Sequence, residues 1–481
     1  MSNKNEQQNA VNWQTPETIE QFNRRYNEPF GQASANSPMN AIYSEHCRLS
    51  MNTRHTGLNN HAMIIGGPGS GKTFGIVYPN LLQKHGSYVV IDPSGELLAT
   101  TGTFFEENGY KIKVLNLVDM QHSDRYNPFV YLRNEEAVLT LIQCFMNSTA
   151  QDKQSRDPFW EKAETALLEA IIFYLIHWQT PDRQNFATVL NLLCGAEKDV
   201  DTALHQLDAL FDEVRAKHPD DICVKKYDIF KQAPEKTTQS IMMTAAARLA
   251  PFAHQAAVNL TCKDDLNIQE IGDENSIVYI VISPADQTYT FLANILCSQI
   301  FDTLYWHAQE CEGLRLKNDV RFILDEFANI GAIPNFTVKL TVMNRYRMSC
   351  MIFIQAIAQL KALYKDDWEL LMHVCDVCVY LGGNELSSIE YLANQLDKYT
   401  TQAHGAAAFK TGASTAANDA HTTSTLCIAD EIQHMEKEDC IVMVKGENPF
   451  YDKKYKTVNH PNAKYLGDFK TGNRMYHMAN S

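Results

Sequence analysis

Apolar residues fall in two rhythms along this chain. Short continuous runs close on glycine or a turn, and longer stretches repeat their apolar positions with helical spacing. HAMIIGG (61–67), SYVVIDPSGE (87–96) and YKIKVLNL (110–117) are of the first kind and read as buried strands. From about 134 to 262 the second kind takes over. EEAVLTLIQCFM, FWEKAETALLEAIIFYLIHW, FATVLNLLC, VDTALHQLDALFDEVRAK and TTQSIMMTAAARLAPF all suit amphipathic helices. Strands resume with NSIVYIVIS (275–283), VRFILDE (320–326), SCMIFIQ (349–355) and DVCVYLGG (376–383). DCIVMVKGE (439–447) is the last strand before a polar tail, and FLANILCSQIFDTLYWHAQ and SSIEYLANQLDKY read as helices between strands. Strands alternating with helices predict an α/β sheet, and the long helical stretch predicts an all-α insert. Residues 1–40, rich in Asn, Gln and Ser, predict a loosely ordered lead. The Ala-, Thr- and Gly-rich stretch 400–425 predicts a mobile loop.

Composition narrows the class. Of 481 residues, 45% are hydrophobic and 21% charged, enough for one large domain or two ordinary ones. The formal net charge of −15 excludes a protein that coats duplex DNA with its whole surface. Any nucleic-acid contact is therefore local, on one face or inside a ring. The most apolar run, ALLEAIIFYLI (166–176), is too short to span a bilayer and contains Glu169, and the polar start carries no secretory signal. The 12 cysteines are scattered. Cys375 and Cys378 are the close pair, and with no second Cys or His pair at ligand spacing they read as small apolar residues, one at a helix end and one in a buried strand. Reduced thiols fit a cytosolic protein.

GGPGSGKT (66–73) lies between the first strand and a helical stretch. It fits G-x-x-x-x-G-K-[ST] through Gly66, Gly71, Lys72 and Thr73. Backbone N–H groups have to converge on phosphate oxygens, and glycines at 67, 69 and 71 let the chain bend there without a Cβ in the way. The helix that follows aims its positive end at the anion. Lys72 brings a mobile charge to the β- and γ-phosphates, and Thr73 offers a hydroxyl to Mg2+. The expected nucleotide-binding set is Gly66, Gly67, Pro68, Gly69, Ser70, Gly71, Lys72, Thr73 and Phe74.

A phosphate loop of this kind predicts a partner strand ending in Asp. In FILDEFANIG (322–331) apolar residues lead into Asp325 and Glu326. Alone, the pair reads as a strand running into a helix whose N-terminus favours acids. Beside GGPGSGKT, Asp325 reads as the Mg2+ partner and Glu326 as the group that polarises the attacking water. SCMIFIQ ends in Gln355, a polar strand end suited to sensing the γ-phosphate. Asp92 closes VVID either near the nucleotide or as a turn former, with Ser94 as a cap for the next helix. Arg345 and Arg347, in VMNRYRMSC, are either solvated surface charges or groups that reach the γ-phosphate of a neighbouring subunit. Lys339, Lys361 and Lys365 read as solvated surface lysines, with pore-lining as the alternative.

Taken in order, GGPGSGKTF, IDPSGEL, YNPF, DPFWEKAE, FILDEFANIG and FIQAIAQL resemble the type IV secretion coupling proteins, the TraG/TraD-like ATPases of conjugation. ADEIQHMEKEDCIVMVKGENPFYDKKY is similar to that family's closing segment, and the resemblance covers about residues 45–462. It implies a RecA-like P-loop NTPase core with a mainly parallel sheet and an all-α inserted domain. The expected division is a polar N-terminal segment (1–44), a nucleotide-binding domain in two parts (45–133 and 263–466), an all-α domain (134–262) and a C-terminal tail (467–481). It also implies an ATP-hydrolysing coupling protein that uses ATP and Mg2+ and works as a homo-hexamer with nucleotide between subunits. Such a protein recruits a relaxase–DNA substrate, contacts single- or double-stranded DNA, and delivers it to a type IV secretion channel with its ATPases and membrane components. By motif, Lys72, Thr73, Asp325, Glu326 and Gln355 take the binding, magnesium, water-activating and sensing roles. The segment of Arg345 and Arg347 falls where the family carries its trans-acting arginine. Two other readings stand beside this one: a nucleotide-gated docking module with little motor activity, and a soluble RecA-type DNA translocase. Most relatives begin with transmembrane helices and this chain has none, which implies a cytosolic portion or an anchor-less member, cytoplasmic and recruited to the inner face of the membrane. Many relatives have Lys at the position of Ser94, so no phosphate role passes to Ser94.

Overall fold

The computed structural model describes residues 11–31, 37–149, 158–195, 200–399, 428–467 and 474–478. A short antiparallel hairpin, β1 (Asn40–Ile42) with β2 (Arg48–Ser50), precedes the main sheet. The sheet comprises β3 (Ala62–Ile65), β4 (Ser87–Asp92), β5 (Lys111–Asn116), β6 (Ser276–Val281), β7 (Val320–Leu324), β8 (Met348–Ile354), β9 (Val377–Tyr380), β10 (Asp439–Val444) and β11 (Phe450–Lys453). Their order across the sheet is β11-β10-β9-β3-β8-β7-β4-β6-β5. From β9 to β5 every pairing is parallel, and β10 and β11 add an antiparallel margin.

Every residue of β3, β4, β6, β7 and β8 is buried. Helices cover both faces, so these strands have no wet side and show no polar alternation. Successive residues still part to opposite faces: Met63, Ile65, Val89 and Ile91 pack into one core, and Ala62, Ile64, Tyr88 and Val90 into the other. Between β5 and β6 the described residues hold helices and no strand. Pro158–Trp178 is apolar nearly all round and packs between Glu135–Ser148, Ile222–Phe230 and Glu235–Arg248. A buried ion pair joins three of these helices. Arg248 Nε lies 2.8 Å from Glu164 Oε1, the side chains being 6% and 3% exposed. Arg248 Nη1 also donates to Met146 O and Thr149 Oγ1.

Three expectations change. The lead is not wholly loose, because Pro16–Tyr26 is a helix with Thr15 as its N-cap and Pro16 at its first position. It buries Phe22 and Tyr26, and the Tyr26 hydroxyl donates to Glu447 Oε1 at 2.7 Å. The polar tail begins later than expected, since β11 follows β10. Its inward position Asp452 disguised the alternation, being buried only because it accepts from Ser44 Oγ, His46 N and His46 Nδ1. The predicted cap Ser94 is not one: Gly95 takes the N-cap position of Glu96–Glu107, and Asp92 supplies the carboxylate, accepting from Leu98 N at 2.9 Å and Ser94 N at 3.3 Å. The stretch 400–425 lies outside the described residues. Cys375 ends Trp368–Val374 and Cys378 lies in β9, and burial pushes both thiols up, Cys378 to about 12. No helix of the described residues is long and apolar enough to cross a membrane.

Removing Glu164 leaves the buried Arg248 guanidinium with only neutral acceptors, Met146 O and Thr149 Oγ1, among its contacts here. Glu164→Ala is expected to lower unfolding stability by roughly 3–5 kcal/mol, and Glu164→Leu combined with Arg248→Met to recover most of it, read by urea denaturation.

Candidate functional site

The parallel strands bring three polar residues and the first glycine of the phosphate loop to one edge. Ile65 of β3 stands opposite Ile354 of β8, Leu324 of β7 opposite Ile352 of β8, and Ile91 of β4 opposite Leu324. Gly66, Gln355, Asp325 and Asp92 therefore leave the sheet at similar levels, with β8 seated between β3 and β7.

The loop after β3 is tied from both sides. Gly66 N donates to Ile354 O at 3.1 Å and Gly67 N to Gly382 O at 3.0 Å. Gly71 stands at φ +88°, a conformation that excludes most side chains, and a Cβ at Gly66 would lie 2.4 Å from Ser70 Oγ. After the loop, Thr73–Val77 forms a π-helical turn before Tyr78–Leu82 continues as α-helix. Pro79 lacks the N–H that an α pattern would require there, and Tyr78 N reaches back to Thr73 O instead. Thr73 is half-buried and Phe74 is 62% exposed beside it.

Lys72 is 9% exposed, and its ammonium donates to Gly66 O at 2.7 Å and Gly67 O at 3.3 Å. No carboxylate of the described residues forms an ion pair with it. Burial lowers its pKa, against the opposing pull of Asp325 and Glu326. Ser70 Oγ is buried without a hydrogen-bond partner. An ammonium bonded only to carbonyls, an orphan hydroxyl and a glycine loop suit an oxyanion.

The carboxylate side has the opposite need. Asp325 is 5% exposed and its Oδ1 accepts from Glu326 N at 3.0 Å. Burial pushes its pKa up to about 6; Lys72 opposes this, while Glu326 and Asp92 add to it. A buried carboxylate starved of positive charge, with a threonine hydroxyl on the facing loop, suits a hard divalent cation with oxygen ligands. Glu326 follows at φ +48°, with Oε2 accepting from Asn329 Nδ2 at 2.7 Å and Oε1 from Gln355 Nε2 at 3.4 Å. Gln355 and Glu326 thus meet although 29 residues apart.

The arginines are elsewhere. They precede β8, whose first residue Met348 stands opposite Val320, so they lie at the other edge of the sheet, one strand length (about 20 Å) from their own chain's loop. Arg347 is held by Asp319 through Nε at 3.0 Å and Nη2 at 2.7 Å, and lines a cavity of about 360 Å3 with Arg54 and Arg315. Arg345 lies over the Tyr346 ring at 5.9 Å. Lys339 is engaged rather than solvated, 2.7 Å from Asp302 Oδ2, and Lys361 lies over the Trp368 ring at 4.7 Å.

Two contacts have no local sequence signal. Lys454 Nζ donates to Ser70 O at 2.9 Å, and Thr457 Oγ1 donates to Phe74 O. The segment after β11 thereby straps the back of the phosphate loop. Asn329 is a third residue that sequence reasoning did not single out.

The family model described as type IV secretory system conjugative DNA transfer matches residues 13–464. A conjugal transfer protein TraG of Escherichia coli is 25% identical over 360 residues, covering 71% of this chain and 55% of the relative. The VirD4 protein of Agrobacterium fabrum (strain C58 / ATCC 33970) is 22% identical over 402 residues, covering 81% of this chain and 57% of the relative. The chain thus spans less than two thirds of the length of these curated relatives. Among solved structures, plasmid coupling protein TrwB in complex with the non-hydrolysable ATP analogue ADPNP aligns with a TM-score of 0.63 at 13% identity, over 93% of each chain. TrwB in complex with ADP and Mg2+ aligns at 0.62 and 13% identity, over 93% of this chain and 94% of that one. The fold is that of a RecA-like P-loop NTPase.

Because Asp325 holds its proton more tightly folded than unfolded, the stability it contributes is greatest below about pH 4 and is lost as pH rises through about 6. Asp325→Asn is therefore expected to raise the melting temperature at pH 8, by a stability gain on the order of 2 kcal/mol, and to lose that advantage near pH 4. Thermal unfolding of both proteins across this range checks it.

Proposed function

Because this chain belongs to the type IV secretory system conjugative DNA transfer family, we propose that it is an ATPase whose hydrolysis drives relaxase-bound DNA into a type IV secretion channel. The observation that carries this reading is the meeting of Lys72, Asp325, Glu326 and Gln355 at one sheet edge, with a phosphate loop on one side and a water-activating carboxylate on the other.

In this reading the loop N–H groups hold the β- and γ-phosphates, and Lys72 exchanges two neutral carbonyl acceptors for anionic phosphate oxygens. Thr73 and Asp325 would hold Mg2+, which would supply positive charge to offset that of the phosphates. Above about pH 6 Asp325 offers the metal an ionised carboxylate. Glu326 takes a proton from the water whose oxygen attacks the γ-phosphorus, while the bond to the departing diphosphate breaks. Gln355, in contact with Glu326, reports the presence of the γ-phosphate to that carboxylate.

The arginines reach phosphate only in a neighbouring subunit of a homo-hexamer, because they lie at the far edge from their own loop. Arg345 is the better candidate, since Arg347 is committed to Asp319. A ring also reconciles DNA contact with a formal net charge of −15, by keeping basic groups on its inner surface. Recruitment to the inner face of the membrane would pass through the channel's own components.

The test is ATP turnover with and without single- and double-stranded DNA across protein concentrations. Turnover is expected to rise with DNA and with concentration, to fall about 100-fold or more in Glu326→Gln, and to vanish with nucleotide binding in Lys72→Ala. Turnover unchanged in Glu326→Gln would sink the reading. Mixing Arg345→Ala with Lys72→Ala subunits is expected to regain activity if Arg345 acts in trans. Mg2+-dependent binding of an ATP analogue is expected to weaken as pH falls below about 6, where the Asp325 proton competes with the metal.

A further inference from the structure

Glu326 leaves β7 in the left-handed region, at φ +48°, which a glutamate seldom adopts. Its carboxylate is thus aimed by the backbone first and by its partners second. Of those partners, Asn329 is the closer: its Nδ2 donates to Oε2 at 2.7 Å, and its backbone N donates to Glu326 O at 2.8 Å. Gln355 Nε2 reaches Oε1 from the next strand at 3.4 Å.

The turn that carries Asn329 is itself fixed from outside. Asn294, fully buried in the helix Thr290–Glu310, donates through Nδ2 to Ile330 O at 2.9 Å and Ala332 O at 3.2 Å. Ile333 N donates to the Tyr364 hydroxyl at 3.1 Å, and the Phe327 ring stacks on Phe336 with centroids 5.0 Å apart. A side-chain amide on so rigid a mount delivers its N–H to one place.

We infer that Asn329 is the positioning residue of the water-activating carboxylate: by holding Glu326 Oε2 it turns Oε1, whose other contact is the longer one to Gln355, toward the attacking water. The inference rests on the reading of Glu326 as that carboxylate. A purely structural role for Asn329 would be served by its backbone bond to Glu326 O, which any side chain permits. The positioning role needs the amide N–H.

Asn329→Asp keeps the size of the side chain, removes the donor and sets one carboxylate against another. Asn329→Ala removes the donor without adding charge, and Asn329→Gln retains it on a longer arm. In the full chain, kcat is expected to fall about 10- to 100-fold in the Asp and Ala variants, with partial recovery in Gln. KM for ATP and the Kd of a non-hydrolysable analogue are expected to stay within about two-fold, because the interaction acts on the transition state and not on nucleotide binding. A kcat within about two-fold of the parent in both donor-free variants overturns the inference, as does a fall matched by lost analogue binding or a lowered melting temperature. Failure of the underlying reading appears differently, as parent turnover that Glu326→Gln leaves unchanged.

Discussion

One strand, β8, stands between β3 and β7, and the chemistry of the site depends on that spacing. Neighbouring strands lie about 4.8 Å apart, so the phosphate loop and the carboxylate pair leave the sheet about 10 Å from each other. That gap suits a terminal phosphate, a metal ion and a water in a row. Were β3 and β7 adjacent, Lys72 would pair with Asp325 directly and close the site. Gln355 ends the intervening strand, so its amide is delivered to the middle of the gap with no loop to hold it.

The same gap explains the electrostatics. Lys72 and Asp325 are both buried, too far apart for an ion pair and close enough to feel each other. Burial lowers the ammonium's pKa and raises the carboxyl's, and their mutual attraction across the gap opposes both shifts without cancelling them. Both penalties are relieved by one kind of visitor, a polyanion carrying its own cation. The protein is thereby organised around charge it does not itself contain.

Most of this was legible in the sequence because strands covered on both faces read as unbroken apolar runs, and HAMIIGG, VRFILDE and SCMIFIQ each end where the structure ends them, to within a residue or two. The readings of GGPGSGKT and FILDEF rest on local spacing, which sequence displays directly, and the structure brings the two segments to one end of the sheet. What stayed hidden has a common cause. Asp452 sits inward in β11 only because Ser44 and His46, some 400 residues away, satisfy it. Lys454, Thr457 and the Asn294 anchor act across similar distances or through backbone carbonyls, and neither leaves a pattern in residue types. The position of the arginines follows from topology: a parallel strand must be entered from the end opposite the one its neighbour exits, and that places them at the far edge.

The strap behind the phosphate loop has a consequence in time. Ser70 and Lys454 are 384 residues apart in the chain. At synthesis rates of about 5–20 residues per second, the loop waits roughly 20–80 s on the ribosome for the residue that braces it. A nascent chain, or one ending before β10, holds the whole phosphate motif without its back wall. A phosphate loop made early in synthesis thus takes its final support from a residue made late.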